Sequence, residues 1–565
     1  MSEIRNCQDT FRERMVKPDS SNTTIHGHGG DLYNRAKPHN RSKPAVAFVA
    51  RRNILKTGNK SGVMTNFENS TALAGAVRSD VERKSQGRDR AVLLIPDGVG
   101  VRNFILSNFL HELDALADVH VLHAIPDHLL DHFKQYGPAS VQWSNLRPYT
   151  PSRAGQFLQG SVGYAHMHWA YTASMQRALA RKVKGPLRSR LLVDTSKKVG
   201  WVTARLNAVE ALDRVHQAEV RRSPAMREYL DIYREMRPTV LFCSHQRPTA
   251  VIPAVLAARE LGIPTVSFIY SWDNLSSKAR IAAPFDRYLV WSPYMRDELL
   301  RFYPEIPPDH IQIVGTPQFD PYVDSSIVWP REEFFRRVGA DPNRKLICFS
   351  GGDAGTCPED PDHVAGLMRL IRSGQIAGNP QLLVRPMPVD DGRRYQKVLD
   401  EFPEILFLRP AWIHAAANVW SQVFPSAEDV QFLANLVRHC DLNINLGSTM
   451  TLDFGLHDKP VVNIAFDIAD PPLFGMPVYD YYYSYDHFQP VLKFGASRVA
   501  RSADQLAEFV NAYLENPAID REGRAQLVAQ QVDLPLGRSA RRTAEYLTRL
   551  SSRRSGPASE GGSDL

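Results

Sequence analysis

The run Gly447-Ser448-Thr449, with Asp453 four residues on, carries the clearest chemistry in this chain. It follows a short alternating strand, Leu442, Ile444 and Leu446, and opens an amphipathic helix. Gly447 lets the backbone turn sharply. Ser448 and Thr449 then offer hydroxyls and unpaired helix-start amides just beyond a strand's carboxyl end. Unpaired N–H groups and the helix dipole both favour negative charge, so the turn suits a phosphate. Asp453 lies one helical turn further along the same face, where a carboxylate takes ribose hydroxyls. The combination reads as a nucleotide half-site.

The elements around it must hold that turn in place. Ser426 with Asp429 three residues later is a helix-start signature, and Val430, Leu433, Ala434 and Val437 follow at helical spacing. Pro460 opens a buried strand, Val461 to Ile464. Upstream, Lys345 to Ser350, Gln381 to Pro386 and Glu404 to Pro410 read as further strands, the first followed by Gly351-Gly352-Asp353-Ala354-Gly355. A tyrosine-rich loop runs from Tyr479 to Phe488, and helices are expected over 503–515 and 536–550.

The first half shows the same alternation. Ala91 to Ile95 is a buried-strand run, Pro96-Asp97-Gly98-Val99-Gly100 a turn, Val101 to Ala117 a helix, and Val119 to His123 the next strand. Residues 126 to 235 are helical in pattern and Arg-rich, an expected insertion. Strands then recur at Thr239 to Ser244, Thr265 to Tyr270, Arg287 to Trp291 and Ile311 to Val314. Two polar loops, Ser244-His245-Gln246-Arg247 and Ser271-Trp272-Asp273-Asn274, sit at strand carboxyl ends, where open α/β sheets collect ligands. Gly315 to Asp320 reads as a linker. The expected organisation is a disordered basic segment (1–89), a first doubly wound domain (90–325), a second (335–500), closing helices (501–550) and a disordered tail (551–565). Met64 offers an alternative initiator.

At 565 residues with a formal charge of +7, the chain first suggests a nucleic-acid partner. The location of the charge removes that suggestion. Residues 1–90 hold 17 Lys and Arg against 9 Asp and Glu, and the remainder holds 51 against 52. The body is neutral and has no basic stripe with interleaved aromatics, so nucleic acid is not expected. The five cysteines (Cys7, Cys243, Cys348, Cys357, Cys440) form no CxxC pair, as in a reducing cytoplasm. No apolar run of about 18 residues spans a membrane, and no signal-peptide core opens the chain. A cytoplasmic protein is expected, with peripheral contact at the anionic inner membrane face the further option its basic leading segment leaves open. Asp127, His128, Asp131 and His132 have metal-like i,i+4 spacing, but a solvated helix face accounts for them; His166 and His168 beside Trp169 read as packing.

From about residue 90 to 550 the sequence resembles GT-B-type glycosyltransferases. Within that group it is similar to bacterial surface-polysaccharide transferases and the glycerophosphotransferases that use CDP-glycerol. The run CDLNINLGSTMTLDFGLHDKPVVNI (Cys440 to Ile464) resembles the family's block of strand, Ser-Thr, helix, Lys-Pro and strand. VGTPQFD resembles its interdomain segment, and TVSFIYSWDNLSSK a segment of related transferases. Asp453 stands where the family commonly has Glu, and Arg385-Pro386 where it has His-Pro. The resemblance implies two Rossmann-type domains facing across a cleft. It also implies sugar transfer from a nucleotide-activated donor, UDP-linked in the first instance, to a glycan or lipid-linked acceptor. Nucleotide-sugar epimerases, polyol-phosphate transferases and non-catalytic nucleotide-sugar-binding scaffolds are the alternatives on this fold.

Such transfer needs a stabilised leaving diphosphate, a deprotonated acceptor hydroxyl, and both aligned away from water. Gly447, Ser448 and Thr449 would serve the diphosphate, Arg385 would add a fixed charge, and Gly351 and Gly352 would admit the donor closely. Asp467 would hold donor-sugar hydroxyls. The base is expected across the cleft: Asp97, where inverting members of the family place it, then Asp273, then His245. The plain alternatives are a helix cap for Ser448-Thr449 and Asp97, a strand-end cap for Asp467, an ion pair for Arg385, a simple turn for the glycines and a loop hydrogen bond for Asp273. No D-x-D motif ends a strand, and no metal or cofactor beyond the donor is expected.

Overall fold

The computed structural model describes residues 88–181, 185–415, 422–532 and 535–555. The leading segment read above as disordered, up to residue 87, and the end of the tail lie outside the described residues.

Two parallel sheets organise the rest. The first has seven strands: β1 (Arg90–Ile95), β2 (Asp118–His123), β3 (Gln142–Asn145), β4 (Val240–Cys243), β5 (Thr265–Phe268), β6 (Arg287–Val290) and β7 (Ile311–Ile313). Their order is β3-β2-β1-β4-β5-β6-β7. β1 pairs in register with β2 (Ala91 beside Val119) and with β4 (Ala91 beside Val240). Five of the six β1 residues, AVLLI, are buried, as a parallel strand covered on both faces requires.

The second sheet has six strands: β8 (Leu346–Ser350), β9 (Gln381–Arg385), β10 (Leu406–Phe407), β13 (Leu442–Asn445), β14 (Val461–Ile464) and β15 (Arg498–Ala500), ordered β10-β9-β8-β13-β14-β15. A two-stranded hairpin of β11 (Ile413–His414) and β12 (Val423–Phe424) stands apart from both sheets. The architecture is therefore α/β, with two doubly wound Rossmann-type sheets.

Each sheet reverses its winding beside its first strand, between β1 and β4 and between β8 and β13. Loops leaving those strands diverge and open a crevice at the carboxyl edge. The two edges face each other. A Cβ on Gly98, just past β1, would sit 1.9 Å from the carbonyl oxygen of Val423 in β12, so only glycine fits there. On the far side, Tyr294 Oη donates to the Asp486 carbonyl at 2.8 Å. The helix Ser539–Ser555 returns the chain to the first domain, where Arg542 Nε donates to the Val314 carbonyl at 3.0 Å.

Some elements differ from the sequence reading. The expected helix Val101–Ala117 is a helical turn (Gly98–Gly100), a π-helical turn (Val101–Ile105) and a short α-helix (Phe109–Asp114). The strand read at Glu404–Pro410 contracts to Leu406–Phe407. The linker segment coils into a 3₁₀ helix, Pro317–Val323. β3 lies inside the stretch read as helical. It is an edge strand with an exposed, polar sequence, QWSN, and so lacks an apolar signal.

Candidate active site

The first domain contributes the loops after β1 and β4, which adjacency in the sheet places side by side. Asp97 caps the turn after β1, its Oδ1 accepting from the amides of Val99 and Gly100, each at 3.1 Å. Its Oδ2 accepts from His245 Nδ1, on the loop after β4. Two residues read as competing candidates for one role are thus a single pair. Burial opposes charge on Asp97, but His245 and the two amides outweigh it and hold the carboxyl below its ordinary range. A carboxylate accepting from Nδ1–H fixes the tautomer and leaves Nε2 as the acceptor. His245 Nε2 is buried without a partner among the described residues. Tyr270, past β5, meets the imidazole edge-on at 3.9 Å between ring centres.

Asp273 is placed differently. Its Oδ1 accepts from Ser271 Oγ (2.6 Å) and Asn274 Nδ2 (3.1 Å), its Oδ2 from Ser277 Oγ (2.8 Å), and Lys278 lies 3.7 Å away. Burial alone would raise its pKa; Lys278, His487 and the two serines lower it instead. A carboxylate so fully engaged organises its loop.

In the second domain, three asparagines to which the sequence reading gave no role shape the turn at the end of β13. Asn443 and Asn445 of β13 and Asn463 of β14 are fully buried. Asn445 Nδ2 donates to Asn443 Oδ1 (2.7 Å), while Asn445 Oδ1 accepts from Asn463 Nδ2 (2.9 Å) and the Ser448 amide (2.8 Å). Ser350 on β8 accepts from Asn443 Nδ2, and Ser497 ahead of β15 donates to Asn463. This chain of bonds across four strands sets where Gly447-Ser448-Thr449 stands. Gly447 has φ +62°, the left-handed region that glycine enters at least cost. The Ser448 hydroxyl accepts from the Met450 amide at 3.3 Å, and the Thr449 amide has no acceptor among the described residues. The helix that follows, Met450–Gly455, is only six residues long.

Asp453 on that helix is buried and accepts from the hydroxyl of Tyr322 in the linker. Burial raises its pKa to about 6, with Tyr322, Arg102 and Arg385 opposing. Arg385 lies in a buried ion pair with both oxygens of Asp429, at 2.9 and 2.8 Å. Asp429 also accepts from the Ala411 amide and from Trp412 Nε1, so the charge of Arg385 is already balanced. Gly351 and Gly352 pack closely on the protein's own side chains. A Cβ at either would lie 2.4 Å from Tyr395 Oη or Cys357 Sγ respectively. Asp360, its pKa raised to about 7 by burial, takes the Gly352 amide at 2.7 Å. Asp467 Oδ2 accepts from the Val478 amide at 3.1 Å, and its Oδ1 is buried without a partner among the described residues.

Three further residues lie beside these groups. Arg102 sits in the π-helical turn, a local geometry that recurs at functional sites. Its guanidinium donates to Asn103 Oδ1 (3.1 Å) and to Gln318 of the linker. Burial lowers its pKa, and Asp453 is the charge that most opposes this. Arg247, two residues past His245, is half-buried and makes no hydrogen bond or ion pair among the described residues. Tyr322 is the third. Arg247 was visible as part of a polar loop; Arg102 was hidden inside a presumed regular helix.

The tyrosine-rich segment spans the opposite side of the cleft. Arg177 of the helical insertion donates to the Asp480 carbonyl and the Ser484 hydroxyl (2.5 and 2.6 Å) and lies over the rings of Tyr481 and Tyr485. Trp272 meets His487 edge-on at 5.1 Å. Among the described residues no three His, Cys, Asp or Glu cluster as for a metal ion, and no helix is long and apolar enough to cross a membrane. His166 packs on Tyr303 (4.9 Å), and burial lowers its pKa to about 3.

No family model matches the sequence, and no curated protein matches it. Among solved structures, the chain is similar to the UDP-GlcNAc 2-epimerase of Neisseria meningitidis bound to UDP-GlcNAc: 11% identity, 81% of this chain and 100% of that one, TM-score 0.46. It is similar to a glycosyltransferase from Rickettsia africae at 10% identity, 82% and 99% coverage, TM-score 0.45. The UDP-GlcNAc 2-epimerase of Methanocaldococcus jannaschii, in complex with UDP-GlcNAc and UDP, gives 12%, 82%, 99% and 0.42.

Proposed function

We propose that this chain is a glycosyltransferase moving a sugar from a nucleotide-activated donor to a hydroxyl of a glycan or lipid-linked acceptor. The observation that carries the reading is the Asp97–His245 pair on one sheet edge, with the Gly447–Asp453 turn on the edge it faces. His245 Nε2 takes the acceptor proton, and Asp97 holds the imidazole and stabilises the imidazolium that forms. Ser448, Thr449 and the free Thr449 amide receive the diphosphate. Arg102 adds charge from the facing edge, and Arg385 keeps the second wall in shape through Asp429. Asp453, released from Tyr322, and Asp467, through its free oxygen, take hydroxyls of the donor. The donor is UDP-linked in the first instance, and no metal has a step in this scheme.

A melting-temperature screen against UDP, GDP, CDP, CMP and dTDP tests the donor site. A nucleotide at about 100 times its dissociation constant adds roughly 2.7 kcal/mol of stability. One nucleotide should raise the melting temperature by a few degrees, and Ser448→Ala/Thr449→Ala should abolish the shift. No shift with any nucleotide would sink the reading.

The same pair favours a second reading, epimerisation of a nucleotide sugar. An imidazole backed by a carboxylate can take and return a carbon-bound proton with no acceptor present. Free epimer formed from the donor alone would select it.

A further inference from the structure

Within the helical insertion, the helix Leu187–Val202 is turned inside out relative to an ordinary surface helix. Its buried positions are the small residues Ser196 and Gly200. These lie against the helix Arg153–Ala170: a Cβ on Gly200 would stand 2.5 Å from the Tyr164 Cβ, and one on Gly160 would stand 3.1 Å from Ser196 Oγ. Small residues thus bring the two backbones together, and the large apolar side chains point away. Leu187 is 68% exposed, Leu191 57%, Trp201 70% and Val202 71%.

These four fall on one face. Taking 100° per residue, positions 187, 191, 201 and 202 lie within about 100° of arc, over roughly 22 Å of helix. Arg188, Arg190 and Lys198, all exposed, lie within or beside the same arc, with Asp194 the acidic residue among them. Lys197, at the margin of the arc, is engaged by the protein itself, its Nζ donating to the carbonyls of Leu179 and Arg181 at 2.7 and 2.9 Å. Beyond residue 90 the chain as a whole is charge-balanced, so this is a local excess of cations around an apolar strip.

The surface that suits both features at once is apolar in depth and anionic at its face. Leu and Val enter the acyl boundary, Trp prefers the headgroup level, and Lys and Arg snorkel to phosphates. Two copies of the face brought together would oppose like charges. We propose that this face docks the protein on a bilayer carrying anionic lipid, whatever reaction the cleft performs.

The test is co-sedimentation of the full chain with sucrose-loaded vesicles, of phosphatidylcholine alone or with about a third phosphatidylglycerol. The chain should sediment with the anionic vesicles, less with the neutral ones, and less again as salt rises. Trp201→Ser/Leu191→Ser should lower partitioning at least about tenfold at an unchanged melting temperature. Arg190→Glu/Lys198→Glu, which leaves the apolar strip intact, should lower it on anionic vesicles alone. Both variants retain residues 1–90, so any pull from that basic segment is common to all. No wild-type binding, or binding undiminished in both variants, overturns the proposal. So does a vesicle-independent self-association that the variants abolish.

Discussion

Asp97 and His245 stand 148 positions apart, and the imidazole Nδ1 of one donates to the carboxylate of the other. The sheet makes that meeting obligatory. β1 and β4 are neighbours with Leu94 beside Cys243, so the residues two beyond each strand project from adjacent loops. The pair has the geometry of a base and its orienter: one nitrogen held, the other unpartnered.

Replacing Asp97 by Asn keeps the shape of the pair and removes the charge that selects the tautomer. The expected loss in kcat is on the order of 10²- to 10⁴-fold with KM little changed. His245→Ala should cost as much, and the double variant little more, since groups acting as a unit are not additive. Steady-state kinetics and melting temperature should be measured together. Activity lost only in proportion to stability would reduce Asp97 to a helix cap.

Asp453 makes the apo protein less stable at neutral pH. Burial raises its pKa from an ordinary 3.8 to about 6. The folded state therefore holds a proton that the unfolded chain has released. Its contribution is fully present below about pH 4 and is lost as pH rises to about 6, the reverse of an ion-paired carboxylate. At about 1.4 kcal/mol per pKa step, the loss approaches 3 kcal/mol. Asp453→Asn, which can still accept from Tyr322, should remove that slope and raise apo stability at pH 8. It should also weaken nucleotide binding if the carboxylate meets ribose. Urea titrations across pH 4 to 8 check the first part, and a variant less stable than wild type at pH 8 would refute it.

The strands were legible where burial on both faces leaves an unbroken apolar run, as in AVLLI of β1 and VLFC of β4. β3 and the β11–β12 hairpin were not, because an exposed polar edge and two-residue strands leave no periodic signal. At the site, single polar residues at strand ends stood out, but their partners did not. That His245 serves Asp97, and that Asp429 occupies Arg385, follow from strand order and helix placement, which spacing along the chain does not encode. Asn443 and Asn445 passed unnoticed between Leu442, Ile444 and Leu446, since polar residues at alternate positions imitate a solvated face. In a central parallel strand they are buried on the second face instead.

Those asparagines give a prediction about stability. Asn445 has both ends of its amide engaged, and its oxygen anchors the Ser448 amide. Asn445→Leu leaves the Asn463 donor and the Ser448 amide without that acceptor, at about 1–3 kcal/mol for each group stranded. The midpoint of urea unfolding should fall accordingly, and nucleotide affinity should fall further than for a matched apolar core variant. An unchanged midpoint would show that the turn does not depend on this network.

The contacts of Arg177 with the tyrosine-rich segment predict how the cleft is kept closed. One guanidinium holds a carbonyl, a hydroxyl and two aromatic faces of the other domain. Partly exposed, these contacts together are worth on the order of 1–2 kcal/mol. Arg177→Ala should therefore raise the open population about tenfold. Proteolytic cleavage within Tyr479–Phe488 should accelerate by the same factor, since it tracks the open fraction when opening is fast. Bound nucleotide should restore protection, because closure over the ligand and retention of it are one equilibrium. If the variant is cleaved no faster than the wild type, Arg177 decorates the closed cleft without holding it, and the latch lies with Tyr294 and Arg301 on Asp486.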